Sequence, residues 1–354
     1  MKRKDVFLVI FFIGLLLIPF TLKNMSVFQN KDYQTGERGY KGFDNYIFPY
    51  QLSYPSKKLK LPHCLDEISG LSYLEQNKLV CIQDEKGMMY VVDLEKGKVT
   101  EKLKFGEGRD YEDIVIVNKN AYVLQSNGNI FKVKNFDSHL PKVKKYNTLL
   151  SKENDAEGLA FDEESNTLLI ACKDSPHLKK KCNELKGKRA VYRFDLYTNE
   201  IFEKPACVID IDDLRDFGRC PLLQKSFMGN IKIFDLSKGD INFRPSGIAI
   251  HPKTKNIYII SSADRMLIVL NQKGDILTAK GLNKKIFKQP EGICFSPEGD
   301  LFISNEKNGR KANILMFNPT MTFKKHALGN TEVMHSSLTM EFPKKRDKDI
   351  HGPN

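Results

Sequence analysis

Asp155-Ala-Glu-Gly-Leu159 is one of five related motifs in this sequence, each of which we call an opening. An opening starts with a polar residue, has Ser or Glu at its third position and Gly or Asp at its fourth, and ends with Leu or Ile. The other four are Glu67-Ile-Ser-Gly-Leu71, Asp110-Tyr-Glu-Asp-Ile114, Arg244-Pro-Ser-Gly-Ile248 and Gln289-Pro-Glu-Gly-Ile293. Their third positions are residues 69, 112, 157, 246 and 291, so the successive steps are 43, 45, 89 and 45 residues. Steps of about 45 residues are typical of four-stranded propeller blades.

Each opening is followed by two runs that are rich in β-branched and aromatic residues. In the first repeat these runs are KLVCIQD (78–84) and MMYVVDL (88–94). Polar turns with Asn-Gly, Lys-Gly or Glu-Gly separate such runs, which predicts antiparallel strands joined by tight turns. The sequence therefore predicts an all-β fold, a β-propeller with five clear four-stranded blades. The segment Tyr50–Leu61 precedes the first opening, and we expect it to supply the outer strand of the last blade and so close the ring.

The step of 89 residues leaves the number of blades open, because it holds either two blades or one blade with insertions. The stretch Cys207–Phe243 contains IKIFDLSKGDI, which echoes VYRFDLYTNEI in the preceding repeat. This echo favours half of a degenerate sixth blade. Within the stretch, IDDLRDF (211–217) is the one segment after the N-terminal region whose pattern resembles a helix.

The chain divides into an N-terminal signal anchor (1–22), a tether (23–45), the propeller (46–330) and a C-terminal tail (331–354). The apolar run Val6–Leu22 spans about 26 Å as a helix, slightly less than the roughly 30 Å hydrocarbon core. A cleaved signal peptide and a transmembrane helix are therefore alternatives, and the lack of an Ala-x-Ala-like cleavage site favours the helix. Because Lys2, Arg3 and Lys4 precede the run, we expect the propeller on the periplasmic or extracellular side of the cell membrane.

The composition restricts the classes of function. The 354 residues include 56 Lys and Arg against 44 Asp and Glu, a formal net charge of +12. The basic residues are spread over several segments, and the sequence has no helix-turn-helix, zinc-finger or aromatic-basic RNA motif, so we expect no nucleic-acid partner. None of the seven cysteines forms a C-x-x-C pair and the histidines lack metal-ligand spacing, which disfavours a zinc site.

Propeller geometry gathers the openings at one end of the central channel. The inner and second strands of a blade are antiparallel, so the openings and the second-strand ends share one rim, where alternate residues point the same way. The candidate metal ligands on this rim are Glu67, Glu112, Asp155, Glu157 and Glu291. The candidate ligand-contacting residues are Asp84, Asp110, Lys173, Arg244, Asn305 and Glu306.

Carboxylates that crowd a narrow channel repel one another unless they are protonated, paired with Lys173 or Arg244, or neutralised by a cation. Donor sets made only of oxygen atoms favour a hard ion, with calcium as the first candidate cofactor. The alternative is that these acids cap strand turns and meet solvent. A paired set such as Asp155 and Glu157 also suits general acid–base chemistry if the ring raises one pKa. The sequence has no G-x-S-x-G elbow and no P-loop.

The openings resemble those of the SdiA-regulated family of bacterial envelope proteins, whose fold is related to NHL-type and TolB-like propellers. The matching stretches lie between Leu61 and Asn318 and include LPHCLDEISGLSY, DYEDIVIV, NDAEGLAFD, RPSGIAIHPKTKNIYIISS and QPEGICFSPEGDLFISNE. The resemblance implies a membrane-anchored propeller that binds calcium at the channel mouth through Glu67, Glu112, Glu157 and Glu291. The sequence departs from the family pattern in the Lys-rich and Cys-containing insertions of its third blade. Similar Asp-x-Glu-Gly openings occur in propeller phytases.

These observations support three hypotheses. The preferred one is a non-enzymatic, membrane-anchored propeller that binds a small-molecule ligand or an envelope protein on the acidic rim, with calcium as a candidate. The second is a calcium-dependent hydrolase of the lactonase or phytase kind that uses the same acids. The third is a purely structural scaffold.

Overall fold

The computed structural model describes residues 46–75, 77–138, 141–178, 185, 187–219 and 241–320. Within these residues the chain forms twenty β-strands in five four-stranded antiparallel sheets. The proposed anchor (1–22), the tether (23–45) and the tail (331–354) lie outside the described part of the chain. Among the described residues, no helix is long and apolar enough to cross a membrane.

Each sheet is one blade, and its strands follow one another from the channel outwards. Blades 1 and 2 consist of β2 (Ile68–Leu74), β3 (Lys78–Gln83), β4 (Met88–Asp93) and β5 (Lys98–Lys104), and of β6 (Tyr111–Val117), β7 (Asn120–Gln125), β8 (Ile130–Lys134) and β9 (Lys142–Tyr146). Blade 3 consists of β10 (Ala156–Asp162), β11 (Thr167–Cys172), β12 (Lys188–Asp195) and β13 (Cys207–Asp210). Blade 4 consists of β14 (Pro245–Ile250), β15 (Ile257–Ser261), β16 (Met266–Leu270) and β17 (Ile276–Gly281).

Blade 5 closes the ring with a strand from the other end of the propeller. It contains β18 (Pro290–Phe295), β19 (Leu301–Asn305), β20 (Asn313–Phe317) and, outermost, β1 (Lys57–Lys60). The pairing runs antiparallel from Lys57 opposite Met316 to Lys60 opposite Asn313. The prediction that Tyr50–Leu61 supplies the outer strand of the last blade is therefore confirmed.

The inner strands β2, β6, β10, β14 and β18 each contact the next, and β18 contacts β2, so five blades complete the circle. The hydrophobic core consists of five clusters, one in each wedge between neighbouring blades. Strand residues are apolar on both faces because both faces of a blade are covered. This arrangement explains why runs such as IYIIS in β15 are fully buried.

The predicted degenerate sixth blade is not present between blades 3 and 4. Strand β10 of blade 3 packs directly against β14 of blade 4, which leaves no sector for another sheet. The stretch predicted to form it begins with β13 and continues as helix α1 (Ile211–Arg219), and residues 220–240 lie outside the described part. Leu214 of α1 is buried in the wedge between these blades, so the helix is an insertion that covers it. The helical prediction for 211–217 is confirmed.

Every inner strand has a β-bulge at the opening. In blade 3 Ala156 pairs with Cys172 and Gly158 with Ala171, so Glu157 has no partner, and the register shifts at the same place in the other four blades. The fourth-position glycine allows adjacent inner strands to approach closely. A Cβ atom on Gly247 would lie 2.5 Å from the carbonyl oxygen of Glu291 in the next blade. The opening motif is thus required by contacts between blades.

Candidate functional site

The five openings lie at one end of the central channel, as predicted from the strand directions. We call this end the channel mouth and define it by the openings and the residues that follow the second strands. Asp84 follows β3, Lys173 follows β11 and Glu306 follows β19. Backbone hydrogen bonds join the two sets, for example from Lys173 N to Asp155 O (2.8 Å) and from Glu306 N to Gln289 O (2.9 Å).

The third positions of the openings divide into two kinds. Ser69 donates a hydrogen bond to the carbonyl oxygen of Tyr111 (2.9 Å), and Ser246 donates one to that of Pro290 (2.9 Å). Both bonds therefore join a blade to its successor. Glu112, Glu157 and Glu291 occupy the same position in blades 2, 3 and 5 and place carboxyl groups at the mouth instead. Bulges commonly redirect a side chain in this way.

Lys173 lies among the carboxyl groups of blade 3. Its Nζ is 2.5 Å from Oε1 of Glu157 and 3.8 Å from Oδ2 of Asp155. Burial disfavours the charged form of this lysine, but Glu157 and Asp155 more than compensate, so the pKa of Lys173 is raised. Arg244 does not share this position, because its guanidinium pairs with Asp174 at 2.5 Å. Lys173 thus places a positive charge beside the acids of the channel mouth.

Burial and mutual repulsion hold protons on the acids of this group. Burial raises the pKa of Glu112 to about 10, and the charges of Glu157 and Asp110 add to this rise. Burial raises the pKa of Glu157 to about 7, and the smaller rise reflects the nearby Lys173 ammonium. The pKa of Glu291 is also raised by burial, although hydrogen bonds from Gln289 and Ser262 oppose this. Neutral and charged carboxyl groups therefore coexist near pH 7.

A second acidic group lies where blade 5 meets blade 1. Burial raises the pKa of Glu306 to about 9, with a hydrogen bond to Glu67 and the charge of Glu291 as further causes. Burial likewise raises the pKa of Asp84, and Glu67 and Asp110 are among the neighbouring charges. Gln289 Nε2 donates a hydrogen bond to Oε2 of Glu306. The predicted acids therefore interact across blades 1, 2, 3 and 5.

Two of the predicted ligand-contacting residues, Asn305 and Asp110, form hydrogen bonds with neighbouring polar side chains. Asn305 is fully buried, and its Nδ2 donates to Oδ1 of Asn313 (3.3 Å) on the neighbouring strand β20. Asp110 accepts a hydrogen bond from Ser126 Oγ at 2.5 Å, a partner that sequence reasoning missed. Ser126 occupies the place in blade 2 that Lys173 has in blade 3. An alignment of the residues that follow the second strands would have identified Ser126, because it follows β7 as Lys173 follows β11.

Sequence reasoning also missed the role of Asp113, which replaces glycine at the fourth position of the second opening. It is 1% exposed, and its Oδ2 accepts a hydrogen bond from the backbone N–H of Leu159 in blade 3 (2.7 Å). Its Oδ1 accepts one from the N–H of Ile114 (2.8 Å). Burial raises the pKa of Asp113 well above its ordinary value, while these donors oppose the rise. Asp113 joins blades 2 and 3 and takes no part in the exposed mouth.

The donor chemistry of the mouth suits calcium, because carboxylate oxygens are the ligands that this ion prefers. The described side chains, as they are placed, do not form a metal centre. Within the described residues, no three Asp, Glu, His or Cys side chains converge as a set that would hold a metal ion. The Lys173 ammonium stands beside Glu157 and Asp155, where a metal ion would have to compete with it. With Lys173 in this position, the side chains as placed favour an ammonium group over calcium beside Glu157.

Several solved structures resemble this chain at low sequence identity. A glutaminyl cyclase from Myxococcus xanthus has 9% identity and a TM-score of 0.48, over 75% of this chain and 95% of that one. A streptogramin B lyase has 13% identity and a TM-score of 0.42, over 74% and 97%. A luciferin-regenerating enzyme has 11% identity and a TM-score of 0.43, over 73% and 92%. None of these proteins is similar enough to indicate the activity of this chain.

No protein of curated function matches the sequence. A family model does match, over residues 48–215 and 238–310, which together are more than half of the chain. The matched region starts in the segment that leads into β1 and includes all five openings. The chain is therefore a member of the SdiA-regulated family.

Proposed function

We propose that this chain is a membrane-anchored propeller, displayed on the periplasmic or extracellular side, whose channel mouth binds a positively charged ligand or a basic segment of an envelope protein. One observation carries the proposal. Glu112, Glu157 and Glu291 occupy equivalent bulge positions in three blades, and the buried Glu157 pairs with the cation Lys173.

The chemistry of the mouth favours a cation over an anion or a neutral ligand. Buried carboxyl groups that repel one another keep protons that they would lose in water. A cation that enters the mouth replaces those protons and interacts with charged carboxylates at low dielectric, where the attraction is strong. The basic residues of the chain lie mainly elsewhere, so the mouth is acidic on a protein of net charge +12.

Calcium is the second candidate cation for the mouth. The oxygen donors of the mouth favour a hard ion over a soft one. Lys173 opposes it, because its ammonium already interacts with Glu157 and Asp155. A primary amine or guanidinium carries one charge where calcium carries two, so Lys173 repels it less, and it needs fewer oxygen donors than calcium does. We therefore take an organic cation as the first candidate.

A hydrolase of the lactonase or phytase kind is the second candidate function. The observation that favours it is Glu157, whose pKa burial raises to about 7 beside Lys173. A carboxyl group that titrates near neutral pH is suited to general acid–base catalysis. In this function the Glu157 carboxyl group takes up a proton from the reacting molecule or donates one to it. The Lys173 ammonium stabilises the carboxylate form of Glu157.

Calorimetric titration of the full chain with spermidine and, separately, with calcium chloride tests the proposed binding. We expect spermidine to bind, and Glu157→Gln to weaken binding at least about tenfold, which corresponds to 1.4 kcal/mol. Glu163→Gln is the matched control, since Glu163 lies at the other end of the same β10–β11 hairpin and is exposed. Absence of binding by both cations contradicts the proposal, as does equal weakening by the control.

Incubation of the chain with lactones and phosphate esters, with and without calcium, separates the two functions. Turnover that Glu157→Gln abolishes and Glu163→Gln retains would establish the hydrolase. If the wild-type chain binds spermidine but turns over neither class of substrate, the binding function stands.

A further inference from the structure

The described chain enters and leaves the propeller on the face opposite the channel mouth, which we call the distal face. Strand β1 starts at Lys57 on this side, opposite Met316, and reaches the mouth at Lys60. Strand β20 runs the other way and ends at Phe317 on the distal face. The N–H of Thr320 donates a hydrogen bond to Pro49 O (2.7 Å), so the entry and exit points are neighbours.

The described residues before β1, 46–56, form the entry segment, which contacts the distal ends of blades 4 and 5. The hydroxyl groups of Tyr46 and Tyr258 are 2.9 Å apart, and the Tyr50 hydroxyl donates to Gly299 O (2.6 Å) in the turn between β18 and β19. Tyr50 also packs in the core cluster between these blades. The chain is therefore held against the propeller from Tyr46 onwards.

Exposed apolar side chains collect on the same side. Tyr54 precedes β1 and is 78% exposed, while Tyr197 in the turn after β12 is 88% exposed. Phe202, 49% exposed, bonds through its N–H to Arg193 O near the distal end of β12. Ile47 in the entry segment is also exposed. In the described residues the other large exposed apolar side chains are Val143, on the outer edge of blade 2, and Leu149, on the mouth side.

We propose that the distal face rests on the lipid bilayer, with Tyr54, Tyr197 and Phe202 in the headgroup region and the acidic mouth directed away from the membrane. This inference rests on the proposed anchoring of the chain. Aromatic side chains prefer the membrane–water interface, and a tethered domain needs only weak contacts because its effective concentration at the surface is high.

A lysine-rich edge offers the competing orientation. Lys142, Lys144 and Lys145 lie on β9, the outermost strand of blade 2, and Lys132 and Lys134 lie on β8 beside them. Anionic lipids attract such a surface. The edge lacks exposed aromatic residues, since Tyr146 lies under the Lys144 ammonium at 4.6 Å and is half-buried. The distal face has both the chain entry and the aromatic side chains, so we assign the contact to it.

The sequence contains no tryptophan, so single substitutions provide unambiguous probes. The full chain carries Tyr197→Trp on the distal face, Val143→Trp on the lysine-rich edge or Leu149→Trp on the mouth side. Each variant is reconstituted with vesicles of phosphatidylcholine and phosphatidylglycerol, and sedimentation measures membrane association. We expect brominated lipids to quench the emission of Tyr197→Trp and to leave the other two unquenched. The fluorescence emission of Tyr197→Trp should also shift to shorter wavelength when vesicles are present.

Each other result contradicts the inference in an identifiable way. Sedimentation with vesicles without quenching of Tyr197→Trp shows an anchored propeller that does not rest on this face. Quenching of Val143→Trp alone assigns the contact to the lysine-rich edge, and quenching of Leu149→Trp alone turns the mouth to the membrane. Failure to sediment removes the anchoring as well, whereas the spermidine titration tests the mouth independently.

Discussion

At the scale of single residues, the charge of the channel mouth depends on which of its carboxyl groups are protonated. Glu112 and Glu306 have pKa values raised to about 10 and about 9, chiefly by burial. Both carboxyl groups therefore keep a proton at neutral pH. Burial raises the pKa of Glu157 to about 7, so this carboxyl group changes its charge near neutral pH.

We predict that the thermal stability of the ligand-free chain falls as the pH rises from 5 to 8. The folded pKa values of Glu112 and Glu157 lie above the ordinary value of 4.5, so the folded state holds protons that the unfolded state loses. Their contribution to stability is complete below pH 4.5 and decreases as the pH rises towards the folded pKa values. Glu112→Gln should reduce this decrease, because glutamine cannot ionise. Differential scanning calorimetry across the pH series measures it.

Glu101→Gln is the control for the pH series. Glu101 lies on the outer strand β5, and its half-exposed side chain is 3.9 Å from Lys78 Nζ. This variant should keep the wild-type pH dependence. A wild-type melting temperature that rises from pH 5 to pH 8 would contradict the proposed protonation of the mouth.

At the scale of elements, the repeated bulge gives one position two uses. In blades 1 and 4 it carries serines that bond to the following blade, and in blades 2, 3 and 5 it carries glutamates that face the channel. The contact between neighbouring inner strands is so close that the fourth position is glycine, or Asp113 with its own hydrogen bonds. The motif thus combines ring assembly with the chemistry of the mouth.

We predict that Ser69→Ala and Ser246→Ala each lower the free energy of unfolding by about 1 kcal/mol, the usual net value of a buried hydrogen bond. The two bonds join different pairs of blades, so the double variant should lose about 2 kcal/mol. Ser56→Ala removes a hydroxyl bond to Met316 O at an exposed site and should have little effect. Urea unfolding measures all four. Equal losses in the control would show that the bonds between blades have no special weight.

At the scale of the whole molecule, closure of the ring joins distant parts of the chain. Leu59 of β1 is buried in the wedge between blades 5 and 1, together with Ile314 of β20 and Val92 of β4. The last blade is incomplete without β1, and the exposed edge of β20 would offer unpaired backbone groups. Stability of the ring should therefore depend on this short strand.

We predict that Leu59→Ala lowers the free energy of unfolding by about 2–5 kcal/mol, as expected for truncation in a packed core. Hydrogen exchange should become faster in β20 and in blade 1 together, since the cavity lies between them. Lys58→Ala, an exposed change on the same strand, is the control. Faster exchange confined to β1 would contradict a role for this strand in holding the ring closed.

The sequence alone determined the architecture to a large extent. The five openings and their spacing predicted five four-stranded blades, the closing strand was predicted from its place before the first opening, and the helix at 211–217 from its pattern. These features follow from local periodicity and from the repeat. The family also followed from the motifs, and the matched region confirms it.

The tertiary structure decided the points that depend on contacts between distant residues. The predicted sixth blade is not supported, because β10 of blade 3 packs directly against β14 of blade 4. Sequence similarity to a strand pair does not reveal such packing. The bonding of Ser69 and Ser246, the buried role of Asp113 and the pairing of Lys173 with Glu157 all join residues brought together by the ring. Strand pattern is a local property of the chain, whereas burial and protonation are set by neighbours that only the closed propeller supplies.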